Sequence, residues 1–269
     1  MNGHFDTKDL DEMQHALPGS TDAERRRFLA DRNGVAKAAI NKLGNYLEWR
    51  KRHCNDDLRH LDSWTYATQL AVQSAAKGTR GSAKNNDTRT LKLPCTLFML
   101  EHEQSTPVSN ADGETIIVKK KYLQHLPARI DTKLADTSIY ALAFALYLDH
   151  ALDRSSTQKV TLIIDVRSGH GWANIKAIHL LPFIQSVVRL LSDLFPTRLE
   201  QCIIFPVPHV ANVIWKAVKP FLGEETAKKV CLVLGPAGRN DKVPKKMNEY
   251  LDKELITMFE ERRKGSFSN

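Results

Sequence analysis

The segment from Asp165 to Trp172 contains the residue types that could support catalysis. Asp165, Ser168 and His170 are the members of an acyl-transfer triad, but residues two or three apart on one turn seldom direct their side chains at one another, and the chain has no G-x-S-x-G nucleophile motif. The two glycines of this segment follow a predicted strand, as in a dinucleotide-binding turn, yet Asn174 replaces the third glycine. A structural turn is favoured, and an α/β enzyme, nucleotide-dependent or hydrolytic, is the alternative.

Metal chemistry has no support in the sequence. None of the ten histidines belongs to an H-E-x-x-H motif, and the four cysteines form no C-x-x-C pair. We therefore predict no metal site, no catalytic residue and reduced thiols, as in a cytosolic protein. The cysteines are Cys54, Cys95, Cys202 and Cys231.

The net charge of +8 favours an anionic partner. Because the basic residues are dispersed along the chain, we predict no nucleic-acid surface and expect transient contact with an anionic membrane surface. The longest apolar run, Ile139 to Leu148, is too short to span a hydrocarbon layer of roughly 30 Å. Residues Met1 to Asp11 lack the apolar core of a signal peptide. We expect a cytoplasmic protein with peripheral membrane association.

The first third of the chain is predicted to be helical. Ser20-Thr21-Asp22 followed by Glu24 is typical of a helix start, because short oxygen-bearing side chains accept hydrogen bonds from the amides of a first turn. Gly34 interrupts the helix that follows. The apolar spacing of Val35 to Leu47 predicts an amphipathic helix, and Cys54 to Ala76 has a weaker helical pattern.

The second half alternates strands and helices. Apolar, β-branched runs predict strands at Val160 to Val166, Gln201 to Phe205 and Val230 to Leu234, with helices at Asn174 to Phe195 and Val210 to Leu222 between them. This alternation predicts an α/β fold with a parallel sheet built from right-handed crossovers.

The regions around this alternation are predicted with less regular patterns. Short strands are expected at Leu97 to Leu100 and Glu114 to Lys119, a buried helix at Ser138 to Leu152, and a closing helix after Asp241 that ends in a frayed tail from Arg262 to Asn269. The predicted division is a flexible leader over 1–19, a helical lobe over 20–84, an α/β lobe over 85–240, and a C-terminal helix and tail over 241–269.

Two separated groups of motifs stand out, the first near the N-terminus and the second in the α/β half of the chain. They are Phe28-Leu29-Ala30-Asp31-Arg32 and Asn45 to Lys51, then Asp165 to Trp172, Phe195 to Leu199, Phe205 to Pro208, and Trp215 to Leu222 with its Lys219-Pro220-Phe221-Leu222 signature. In order and spacing, these motifs resemble those of the CRAL-TRIO family of Sec14-like lipid-binding proteins. The resemblance implies a helical N-terminal lobe followed by a CRAL-TRIO-like lobe, whose largely parallel sheet is covered by helices and floors an apolar lipid pocket.

The resemblance also assigns roles to individual residues. It implies that the helix Val210 to Leu222 gates the pocket and that Arg32 and Lys219 bind the phosphate of a lipid headgroup. The expected apolar stripe of the gate is Val210, Val213, Ile214, Ala217 and Phe221. The same stripe is also compatible with ordinary core packing.

The function implied by the resemblance is binding, not catalysis. One lipid or other hydrophobic ligand, such as phosphatidylinositol or another phospholipid, would occupy the pocket and be exchanged or presented at membranes, with no cofactor besides that ligand. The sequence does not separate a transfer protein from a lipid-sensing module, and it identifies no protein partner.

Overall fold

The computed structural model describes residues 7–78, 91–103, 108–109, 115–116, 119–169, 177–207, 215–216 and 219–268. The chain forms two compact units. Unit 1 contains the described residues of Met1–Leu93, Lys133–Thr157 and Pro182–Arg198, and unit 2 contains those of Pro94–Thr132, Gln158–Leu181 and Leu199–Asn269.

Unit 1 is helical. Helices α2, α3 and α1 pack together, and α4 packs along α5. The helices are α1 (Thr7–Ala16), α2 (Asp22–Asp31), α3 (Ala36–His53), α4 (Ser63–Gly78), α5 (Thr137–Ala151) and α6 (Ala177–Leu194), the last of which begins in unit 2.

Helix α2 begins and ends at local signals. The Thr21 hydroxyl accepts a hydrogen bond from the Glu24 amide, and the Glu24 carboxylate accepts one from the Thr21 amide, which completes a capping box. Asn33 (φ 53°) and Gly34 (φ 82°) then adopt left-handed backbone conformations, and the Gly34 amide donates to the Leu29 carbonyl. The helix start and the interruption predicted from the sequence are confirmed.

The N-terminal end differs from its prediction. Residues Thr7–Ala16 lie within the leader that was predicted to be flexible, yet they form α1 and bury Leu10 and Met13. These are the two residues that α1 buries, and the rest of the segment is mostly polar. The composition of the segment therefore did not predict that it packs as a helix.

Unit 2 contains a five-stranded sheet in the order β1-β4-β5-β6-β7. Strands β4 to β7 are parallel and β1 is antiparallel to β4, which confirms the predicted α/β class. The strands are β1 (Leu97–Glu103), β4 (Lys119–His125), β5 (Val160–Asp165), β6 (Leu199–Val207) and β7 (Val230–Leu234); β2 (Val108–Ser109) and β3 (Thr115–Ile116) form a separate pair.

The C-terminal residues cover one face of the sheet. A short helix, α7 (Glu224–Lys228), precedes β7, and the chain ends with a 3₁₀ turn at Lys245–Glu249 and helix α8 (Lys253–Ser266). A hydrophobic cluster joins the 3₁₀ turn and α8 to the sheet. Its residues are Leu100, Ile163, Ile203, Phe205, Val233, Met247, Leu251, Leu255 and Phe259.

The frayed tail predicted from Arg262 onward is wrong. Helix α8 continues to Ser266, and both Arg263 and Phe267 are buried. The Phe267 ring occupies the space in which a Cβ atom at Gly169 would lie, so the glycine of this turn is required by the packing of the C-terminus.

Candidate functional site

The second face of the sheet, opposite α8, is lined by two rows of side chains in register. Since side chains alternate along a strand, residues paired across the strands share a face. The first row is Met99, Leu123, Leu162, Cys202 and Val230, and the second row is Leu97, His125, Ile164, Ile204 and Leu232. Of these ten side chains, nine carry neither a basic nitrogen nor a carboxylate. The tenth is His125.

The charge on this face is confined to one edge. Lys121 and Glu101 form an ion pair of 3.1 Å at the end where β5 begins, on the row that precedes Leu123. His125 lies in the second row, and complete burial lowers its pKa to about 3. The imidazole is therefore neutral at physiological pH, so the two rows form an uncharged floor.

Sequence patterns did not single out His125, because the strand predicted at Glu114 to Lys119 includes only the first residue of β4. Lys119, Lys120 and Lys121 begin this strand, and such a run suggests an exposed loop. The glutamates of β1 face these lysines across the antiparallel pair, which is a contact that only the fold reveals.

Four of the five residues of the predicted apolar stripe of the gate helix lie outside the described residues, namely Val210, Val213, Ile214 and Ala217. At the end of that segment, Lys219–Phe221 form a 3₁₀ turn, and the Leu222 amide donates to the Lys219 carbonyl. The α-helix predicted to extend to Leu222 is therefore wrong in its last turn. Lys219 and Pro220 are exposed, while the side chain of Phe221 is outside the described set.

Arg32 lies at the C-terminal cap of α2, where the left-handed turn that follows leaves it exposed. Its Nε atom is 3.1 Å from an Asp31 carboxylate oxygen, and the Lys42 ammonium binds the same oxygen at 2.7 Å. Since Asp31 is shared between two cations, it neutralises neither completely. Within the described part of the chain, Asp31 is the one carboxylate that forms an ion pair with Arg32.

Arg32 belongs to unit 1 and Lys219 to unit 2. Each is an exposed cation, as phosphate binding requires, but their convergence on one headgroup is still a prediction.

The turn after β5 is held by a buried ionic network. The Asp165 carboxylate accepts hydrogen bonds from Arg167 at 2.9 and 2.6 Å, and the Arg263 Nε atom lies 3.3 Å from the same carboxylate. Burial opposes the charge on Arg167, but its hydrogen bonds to Asp165 and Glu260 outweigh burial and raise its pKa.

This network also bears on the triad considered from the sequence. The Asp165 carboxylate is occupied by two guanidinium groups, and the Ser168 hydroxyl donates to the Ala237 carbonyl at 3.4 Å. Asp165 and Ser168 therefore serve the turn itself, and His170 lies outside the described residues.

A different kind of surface lies in unit 1, where an open depression of about 680 Å³ adjoins the start of α2. Its lining is mostly hydroxyl and charged side chains, which suit water better than an acyl chain. The lining residues are Thr21, Asp22, Ala23, Arg26, Ser155, Ser156 and Thr157.

Comparison with known proteins assigns the chain to a family. Residues 112–258 match the model of the CRAL/TRIO domain, and the chain belongs to this family. Members of the family are generally lipid-binding and lipid-transfer proteins, so lipid binding in general is the activity that the family assigns.

A solved structure agrees with this fold. The crystal structure of Sfh5, a Sec14-like protein, matches with a TM-score of 0.56 over 93% of this chain and 85% of that chain. The two sequences are 13% identical, so the match concerns the fold.

Among the described residues, no helix combines the length and apolar character needed to cross a bilayer. No three of their histidine, cysteine, aspartate or glutamate side chains are grouped as metal ligands would be.

Proposed function

We propose that this chain binds one lipid in an apolar cavity and exchanges it at membranes. The observation that carries the proposal is the uncharged second face of the sheet, with Ile164, Ile204 and Leu232 half-buried in one row. Parallel sheets are normally covered on both faces, because their strands are apolar on both. A lipid would supply part of that cover.

The energetic basis is the burial of acyl or isoprenoid groups. Each Å² of apolar surface removed from water contributes roughly 25 cal/mol, so a chain of many methylene groups binds tightly to a surface without charges. His125 is compatible with this cavity because its imidazole stays neutral. In the proposal, the segment 210–222 closes over the lipid and moves aside when the protein meets a membrane.

The cavity floor is tested with a substitution in the second row, at the β6 position. Ile204→Trp adds bulk to a half-buried position and is expected to reduce the fraction of protein carrying a lipid by at least about half, because a filled cavity has no room for the chain. Native mass spectrometry of protein purified from its own cells measures this fraction and identifies the lipid.

The matched control is Ile203→Val, one residue away on the opposite face. Ile203 is buried against the α8 side, so its loss of a methylene group is expected to cost about 1 kcal/mol of stability and to leave lipid occupancy unchanged. Equal occupancy in the Ile204→Trp and wild-type proteins, both folded, would argue against this floor.

For the headgroup, we propose a phosphate held by Arg32 and Lys219. Both side chains are exposed, and neither is fully neutralised by a carboxylate in the described residues. A hydrogen bond to a charged group contributes about 1.5–3 kcal/mol, so two such contacts favour phosphatidylinositol or another phospholipid strongly.

Replacement of both residues by alanine is expected to weaken phosphoinositide binding by at least about a hundredfold, because both phosphate contacts are lost. The measurement is the transfer of labelled phosphatidylinositol between vesicles, with the melting temperature as the check on folding. Lys37→Ala/Lys228→Ala removes two exposed cations, one in each unit, and is expected to retain transfer.

The outcomes separate the parts of this proposal. Unchanged binding in the Arg32→Ala/Lys219→Ala protein would reject the headgroup assignment. Lipid binding without transfer in the wild type would indicate a lipid-sensing module. A co-purified nucleotide would favour the alternative function, a nucleotide-dependent α/β enzyme.

A further inference from the structure

The segment from Gly235 to Lys246 forms a closed loop after the edge strand β7, and we call it the basic loop. It contains four exposed cations and a single carboxylate, that of Asp241. The cations are Arg239, Lys242, Lys245 and Lys246. The loop lies wholly in unit 2.

Backbone contacts fix the course of the basic loop. Three alternate carbonyls, those of residues 237, 239 and 241, accept hydrogen bonds from the Ser168 amide, from Arg263 and from Arg167. These donors come from the turn after β5 and from α8. The side chains of the loop are therefore free to carry charge on the surface while its backbone is held.

The ends of the basic loop are held as well. The Gly235 amide donates to the Val207 carbonyl at 3.0 Å, and a side chain on Gly235 would collide with Pro244 and Pro206. The loop is thus closed at its base against the end of β6.

The four cations are not neutralised within the described residues. None of them forms an ion pair there, and the Asp241 carboxylate is engaged by the Gly238 amide. Other exposed lysines of unit 2 do have carboxylate partners, for example Lys159 with Glu200 at 3.0 Å and Lys228 with Glu225 at 2.8 Å. The basic loop therefore concentrates uncompensated positive charge.

An exposed apolar residue adjoins this charge. Leu234, the last residue of β7, is 46% exposed, and it precedes the basic loop directly. Basic side chains beside an exposed leucine suit the boundary between lipid headgroups and acyl chains better than they suit a nucleic acid or an acidic protein.

The location of the loop connects it with lipid exchange. Val207, whose carbonyl accepts the Gly235 amide at the base of the loop, lies three residues before Val210, where the predicted gate 210–222 begins. A membrane bound at the basic loop would thus lie close to Val207, just before the predicted gate begins.

We propose that the basic loop, with Leu234, is the surface on which the protein docks to an anionic bilayer. Docking at this edge of the sheet brings the residues just before the predicted gate to the membrane. This part of the inference rests on the proposed function. The occupant is the bilayer itself, recognised by its negative surface charge.

The test is binding to sedimented vesicles that contain phosphatidylserine and phosphatidylcholine, compared with vesicles of phosphatidylcholine alone. The variant replaces the four cations of the loop by alanine, all at exposed positions. Each basic residue near the surface strengthens binding by about fivefold, so the partition coefficient is expected to fall by at least about 25-fold if two of the four reach the bilayer. Salt near 0.5 M is expected to abolish most of the difference.

The control variant has the same net charge. It replaces Lys37, Lys51, Arg52 and Lys228 by alanine, four exposed cations outside the loop. Its partition coefficient is expected to change by less than about threefold. The proposal would be overturned if the partition coefficient fell equally in both variants or fell in neither. Equal binding of the wild type to neutral vesicles, or its displacement from anionic vesicles by RNA or an acidic polypeptide, would also overturn it.

Lipid occupancy separates this inference from the proposed function. The loop variant is expected to retain its lipid, as measured by native mass spectrometry, while losing vesicle binding. If no variant carried a lipid but the loop variant alone lost vesicle binding, the docking surface would stand and the proposed function would fail.

Discussion

Replacement of Asp149 by alanine is expected to lower the free energy of unfolding by about 3 kcal/mol or more. Its carboxylate is fully buried and accepts hydrogen bonds from Arg50 at 2.8 Å, from Arg59 at 2.9 Å and from the Tyr46 hydroxyl at 3.1 Å. Alanine would leave two guanidinium groups of unit 1 without their carboxylate, and breaking a buried ion pair from one side typically costs 3–5 kcal/mol. Because Arg59 is one-third exposed, the lower part of that range is expected; urea denaturation measures it.

The control for this prediction is Asp56→Ala. Asp56 also binds Arg59, at 2.8 Å, but its side chain is 83% exposed. Such a pair contributes about 0–1 kcal/mol, so the control is expected to remain close to the wild type. Equal losses in the two variants would mean that burial of Asp149 is not the cause.

The sequence predicts the fold best where the signals are local. The capping box of Thr21 and Glu24 and the left-handed turn at Gly34 depend on residues within five positions, and both are present in the structure. The strands β5, β6 and β7 are apolar on both faces, so continuous hydrophobic runs identify them.

Prediction fails where a contact with a distant part of the chain decides whether a charged residue is solvated or paired. The lysines that begin β4 are paired across the sheet with Glu101 and Glu103. At the C-terminus, Arg263 is buried because it binds Asp165, a residue nearly a hundred positions away. A run of charges has no pattern that distinguishes these cases from a solvated surface.

The candidate site is predictable to a similar degree. Family motifs predict a headgroup-binding role for Arg32 and Lys219, and the local structure around each residue explains why both are exposed. Asp149 escapes detection because it is one carboxylate at the end of an apolar helix, and its partners lie about 90 to 103 residues away. The uncharged floor requires the cross-strand register, which alternation within one strand does not fix.

The two buried aspartates each hold separate elements together within one unit. Asp149 holds α3 and the turn after it to α5 in unit 1, and Asp165 holds the turn after β5 to α8 in unit 2. Buried ion pairs suit this role because they impose one geometry on their partners.

Replacement of Arg167 by methionine is expected to lower the free energy of unfolding by about 3 kcal/mol. The guanidinium is buried, donates twice to Asp165, and also bonds Glu260 and the Asp241 carbonyl at 2.9 Å. Methionine replaces the volume but none of these side-chain donors, so Asp165 retains the ion pair with Arg263 and the hydrogen bond from the backbone amide of residue 167 at 3.1 Å. These remaining partners place the loss near the lower end of the 3–5 kcal/mol expected for a broken buried pair.

The same substitution has a local readout that a general loss of stability would not produce. Arg167 holds the backbone of the basic loop at residue 241, so amide exchange across residues 236–243 is expected to become faster in Arg167→Met, while exchange in α3 and α5 remains slow under native conditions. The control is Arg262→Met, an exposed arginine on α8 whose guanidinium lies 5.9 Å from the centre of the Phe98 ring. Its stability is expected to change by less than about 1 kcal/mol, since an exposed cation–π contact contributes only that much. Uniform acceleration of exchange in Arg167→Met, or an equal effect of Arg262→Met, would show that Arg167 does not hold the loop.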